Sequence, residues 1–92
     1  MTRIIFRVHA IQRMFMRRIT KDEVLHAIEA GEVIEEYPDD TPYPSRLILG
    51  WEGQRPLHVV AAYDAEDDEE IIITVYKPDP AHWESDYKRR KP

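Results

Sequence analysis

The sequence predicts an α+β fold: two N-terminal helices packed on a four- to five-stranded, mostly antiparallel sheet, followed by a short C-terminal helix. Three observations predict it. Apolar residues recur at helical spacing as far as Ala30 and at a period near two beyond Gly31. A helix-start box stands at Thr20–Glu23, with a stop glycine at Gly31. From Ser45 onward, runs rich in β-branched and aromatic residues are joined by short polar turns.

Ile4–Val8 fits either the start of a strand or the lead-in to the first helix. Over residues 9–17, Val8, Ile11, Phe15 and Ile19 fall on one stripe, the spacing of a buried helix face. Gln12 lies within that arc and is expected at the rim of the core. The second helix is expected over 21–30. Thr20 is placed to accept the Glu23 amide, and Ile19 and Val24 stand where a hydrophobic staple would put them. Val24, Leu25 and Ile28 supply its buried face. Val33–Tyr37 reads as a short strand, residues 38–44 as a proline-rich loop, and Ser45–Trp51, Pro56–Tyr63 and Glu70–Lys77 as the main strands. Residues 52–55 and 65–69 supply the turns. Val59–Val60 and Ile71–Ile73 are apolar on both faces, so these strands are expected to be central and covered on both sides, by the C-terminal segment or by a partner. Residues 81–90 are expected to form a short helix that docks Trp83.

The 92 residues make one domain, with a core over about 4–85 and a basic tail at 86–92. An apolar fraction of 42% and a charged fraction of 34% suit a globular chain. With no cysteine there is no disulfide, thiolate metal site or cysteine nucleophile. The longest apolar run is too short to span a bilayer, and residues 1–10 lack the apolar stretch of a signal peptide, so the cytoplasm is the expected location. The net charge of −5 is unevenly spread. Residues 1–21 carry six Lys/Arg and no acid, residues 22–74 carry fifteen acids and two bases, and residues 75–92 carry five bases and three acids. Such segregation lets one face attract phosphate or an acidic partner in a globally acidic protein.

The four histidines show no zinc-ligand spacing, and no glycine-rich phosphate loop is present, so neither metal nor cofactor is expected. The remaining candidates are His58, Tyr76 and Lys77 for catalysis, and His9, Arg13, Arg17 and Arg46 for binding phosphate or RNA. His58 lies inside a strand, where a histidine is either a packed structural group or a general base on a concave sheet face. If the residue numbers paired across the 51/56 hairpin sum to an even value, Arg46 and His58 share a face; if odd, they do not. His9, Arg13 and Arg17, each four residues apart, form a phosphate-binding face, an ion-pair face for the acidic middle of the chain, or a docking face for an acidic partner.

His9-Ala10, Arg13-Met14, Arg17, Ile19-Thr20 and Glu23-Val24 stand in the order of the opening of a bacterial family of domains of unknown function, numbered 4258. Tyr37-Pro38, Leu49-Gly50, the run from Arg55 to Val60, the run from Ile73 to Tyr76, Pro78-Asp79 and Trp83 continue the resemblance over about residues 5–85. That family is similar in layout to the RelE/ParE/BrnT-like toxins. The resemblance implies a toxin-like protein of a toxin–antitoxin system: a metal-independent RNA endonuclease or a degenerate relative, with RNA and an antitoxin as partners and self-association open. It brings the matching positions His9, Arg13, Arg17, His58 and Tyr76 into consideration without assigning their roles. The chain lacks the strongly basic character of ribosome-dependent toxins. The alternative is a non-catalytic protein-interaction domain of unknown partner.

Overall fold

A computed structural model describes residues 2–92. The elements run β1 (Arg3–Phe6), α1 (Val8–Arg17), α2 (Lys21–Ala30), β2 (Glu32–Tyr37), β3 (Ser45–Glu52), β4 (Arg55–Asp64) and β5 (Glu69–Tyr76). They form the α+β architecture predicted. The five strands lie in the order β1-β5-β4-β3-β2, antiparallel except for β1, which runs parallel to β5. The ambiguous segment after Ile4 is therefore a strand up to Phe6, and Arg7 is the N-cap of α1.

Local chemistry sets the helix ends. Arg18 takes the left-handed conformation (φ 56°), and its amide bonds back to the carbonyl oxygens of Met14 and Phe15. The Thr20 hydroxyl then accepts the Glu23 amide at 3.1 Å and starts α2. Gly31 ends α2 in an extended, not left-handed, conformation. Glycine is required there for space: a Cβ would lie 2.2 Å from the Ala27 oxygen and 2.7 Å from the Leu49 oxygen. Gly50 has the same role one strand away, since its Cβ would meet that of Ala27 at 2.4 Å. These two glycines let α2 lie directly on β3.

The core lies between the helices and one face of the sheet. Ala10, Met14, Ile19, Val24 and Ala27 pack there against Ile48, Leu57, Val59, Ala61, Ile72 and Val75. This corrects the expected orientation of α1. Val8, Ile11 and Phe15 point away from the sheet, 70%, 48% and 87% exposed, while Ala10 and Met14 are buried. The helix is turned by about a third of a turn from the expected stripe. The small Ala10, fully buried, allows the helix backbone a close approach that a larger residue would block. Ile19 is buried as expected.

The far face of the sheet is also covered. Glu32, Glu35 and Tyr37 of β2 share it with Ser45, Leu47, Leu49 and Trp51 of β3, then with His58, Val60 and Ala62 of β4 and Tyr76 of β5. Residues 83–90 cross it as an irregular strap, not as the expected C-terminal helix. Asp79 closes a turn by accepting the amides of Ala81, His82 and Trp83. The Asp86 carboxylate accepts the Lys88 amide, and Tyr87 adopts φ 58°. These turns reverse the chain and pair Trp83 with Arg90 in an isolated bridge. None of the helices is long and apolar enough to cross a membrane.

Candidate functional site

The hairpin register decides where the candidate residues stand. Glu52 pairs with Arg55 across the two-residue turn Gly53-Gln54, so Leu49 opposes His58 and Arg46 opposes Ala61. The paired numbers have an odd sum. Arg46 therefore lies on the helix side of the sheet and His58 on the far side.

His58 is fully buried. Its Nε2 lies 2.8 Å from the Tyr87 carbonyl oxygen and its Nδ1 3.2 Å from the Tyr76 hydroxyl. A carbonyl oxygen only accepts, so Nε2 carries the proton, and Nδ1 accepts from the Tyr76 hydroxyl. Trp83 stands edge-on to the imidazole at 4.5 Å and Tyr76 at 5.2 Å. Burial lowers the imidazole pKa, against the opposing effect of the bond to Tyr87, and so favours the neutral ring. Burial also raises the pKa of the Tyr76 phenol. Both ring nitrogens are thus occupied, and neither faces solvent. This is the geometry of a structural latch between sheet and strap.

Around the latch the tail makes its own contacts. Arg90 pairs with Glu35, which also accepts from the Tyr37 hydroxyl, and the guanidinium stacks over the Trp83 ring at 4.7 Å. Lys88 reaches Glu32 at 3.0 Å, and Trp51 meets Tyr87 edge-on at 5.9 Å. Glu35 and Arg90 carry no signal of their own in the sequence, whereas Trp83 was expected to dock and Tyr37 stands within the family resemblance. The tail's bases opposite the acids of β2 were the one available signal.

His58 shares no groove with Arg13, Arg17 or Arg46. Arg13 and Arg17 sit exposed on α1, across the sheet from His58, and Arg46 is tied to Glu70 in a part-buried ion pair. Tyr76 does join His58, under the strap, whereas Lys77 is exposed beyond the end of β5. The carboxylates of Asp64, Asp67 and Glu69 lie within 4.8 Å of one another at the β4–β5 turn and are the group best placed for a cation. Asp64, however, already accepts the amides of Glu66 and Asp67 and so closes the turn itself.

The second feature is the outer face of α1. Val8, Ile11 and Phe15 line one stripe on it, beside Met16, which is 70% exposed. His9, Arg13 and Arg17 line a different face of the helix, roughly a third to a half of a turn round from that stripe. Among the described residues, no ion pair involves Arg7, Arg13, Arg17 or Arg18.

A family model described as a domain of unknown function, DUF4258, matches residues 6–77. The chain belongs to the DUF4258 family. The matched span takes in both helices, β2–β5 and the end of β1, and stops at Lys77, short of the strap. The latch therefore joins a residue of the DUF4258 domain, His58, to a segment beyond the matched span. No curated protein and no solved structure matches the chain.

Proposed function

We propose that this DUF4258 domain is a non-catalytic protein-interaction module whose partner docks on the outer face of α1. The observation that carries this reading is Phe15, 87% exposed at the centre of an apolar stripe that the fold leaves uncovered. Scattered exposed apolar residues are ordinary, but a contiguous patch rimmed by polar groups marks an interaction site. The stripe does not serve the core, because Ala10 and Met14 supply that contact from a face about a third of a turn away. In a toxin–antitoxin setting, the antitoxin would be the protein bound there. The rival nuclease reading needs a base that meets its substrate. His58 is enclosed and doubly bonded, so that reading has less behind it.

Site-specific photocrosslinking in the native host tests the proposal. A photoreactive phenylalanine analogue at position 15 is expected to give one discrete protein adduct, and the same group in the loop at position 39 none. No adduct from position 15, or equal labelling from both positions, would overturn it. So would RNA cleavage by the purified protein that His58→Ala abolishes.

A further inference from the structure

We infer that the far face of the sheet is a docking groove for an aromatic, basic hairpin loop, and that residues 82–91 are its ligand in cis, seated as a unit and able to leave as one. The inference is independent of the docking on α1, which lies across the sheet.

The ligand is a closed piece of backbone. The Lys91 amide donates to the His82 carbonyl oxygen at 2.9 Å and the Glu84 amide to that of Arg89 at 2.8 Å, on either side of the Trp83–Arg90 bridge. The Tyr87 amide closes the turn onto the Glu84 oxygen at 2.9 Å. The strap is thus a miniature antiparallel hairpin whose main-chain bonds run within itself. Among the described residues, one hydrogen bond ties its backbone to the sheet, from His58 Nε2 to the Tyr87 oxygen. Undocking therefore breaks no strand ladder, and the five-stranded sheet keeps its pairings.

The groove complements this hairpin in two ways. Trp83 is the anchor, buried edge-on against the His58 ring at 4.5 Å, with the Arg90 guanidinium over its own ring. An enclosed indole beside a guanidinium is the composition of an interface hot spot. At the rim, Glu32 and Glu35 of β2 take Lys88 and Arg90. In both pairs the base is half-exposed, so the charges select the ligand more than they hold it.

Glu32, Glu35, Trp51, His58 and Tyr76 all lie within the span matched by the family model, and the hairpin lies wholly beyond it. Groove and ligand are therefore consecutive modules of one chain, joined through residues 77–81. A segment of another chain fits the groove only if it offers the same pattern: an indole, a carbonyl oxygen four residues on for His58, and bases for Glu32 and Glu35. It must first displace the hairpin, which until then plugs the site.

The probe is a synthetic peptide of residues 79–92, labelled at its C-terminus and followed by fluorescence anisotropy against the full chain. Two full-length variants loosen the hairpin in cis and leave the groove intact. One is Trp83→Ala; the other, Lys88→Glu with Arg90→Glu, changes only exposed side chains and spares the fold. Both should bind the peptide saturably, at least about tenfold more tightly than wild type, whose groove is filled by a tethered segment at high effective concentration. The peptide carrying Trp83→Ala should not bind. Reversing the groove charges, Glu32→Lys with Glu35→Lys, should exclude the native peptide and admit one carrying Lys88→Glu and Arg90→Glu. No binding by the Lys88/Arg90 variant, with the circular dichroism spectrum of the folded sheet, overturns the inference. So does binding that is equal in wild type, that survives Trp83→Ala in the peptide, or that ignores the charge reversal.

Discussion

Replacing Trp83 with alanine separates a structural His58 from a catalytic one. Trp83 is 6% exposed, sits 4.5 Å from the His58 ring and lies under the Arg90 guanidinium. Truncating a buried tryptophan to alanine costs about 3–5 kcal/mol. Trp83 belongs to the far-face layer and not to the helix-side core, where relaxation would be hardest. The lower end, about 3 kcal/mol, is therefore expected. A domain of this size is stable by only about 5–14 kcal/mol, so the loss is large. It corresponds to a fall in Tm of roughly 12–24 °C. Urea denaturation followed by far-ultraviolet circular dichroism measures it. The same variant lets water reach the imidazole, so the His58 pKa, followed by NMR, should rise toward its ordinary value. A loss below about 0.5 kcal/mol, the range of ordinary surface substitutions, together with an unmoved His58 titration, would refute the latch.

Two further outcomes follow from the same structure. His58 has a depressed pKa in the fold, so below the ordinary histidine value of about 6.5 the unfolded chain binds the extra proton more readily. Stability should be level above about pH 7 and fall as pH drops from there toward the depressed native value, by up to about 1.4 kcal/mol per pH unit. His58→Gln should flatten that part of the profile in urea melts between about pH 5 and 8. Gly50→Ala should cost about 1–3 kcal/mol by forcing α2 off β3, whereas Gly53→Ala, with nothing within 4 Å, should cost about 1–2 kcal/mol from its left-handed backbone alone. Equal Tm values for wild type and Gly50→Ala would contradict the close packing.

The parts of the fold that were legible are those set by neighbours in the chain. The Thr20–Glu23 box and the β3–β4 turn are local chemistry, and the helix and strand bounds follow them closely. The hairpin register was also within reach: a two-residue turn at Gly53-Gln54 pairs 52 with 55 and so parts Arg46 from His58. The orientation of α1 was not. Amphipathic spacing finds an apolar stripe but does not say whether the core or a partner covers it. Here the side chains turned inward are the modest Ala10 and Met14. β1 is a strand because of its parallel pairing with β5, a contact across more than sixty residues that no local pattern encodes. The C-terminal segment stood among the expected covers of the sheet, but its irregular path was unreadable for the same reason. Its order comes from Glu32, Glu35 and His58, all distant in sequence. Among the candidate residues, His9, Arg13 and Arg17 lie exposed on α1, while His58, whose face the sequence left open, lies across the sheet from them.

Photocrosslinking from position 15 in the native host tests most directly whether the exposed ridge of α1 is the working surface. A single adduct that contains a partner protein, and disappears when Ile11 is changed to serine, is the predicted result. Labelling of RNA from that position, or a partner captured only through the strap side of the sheet, would contradict it.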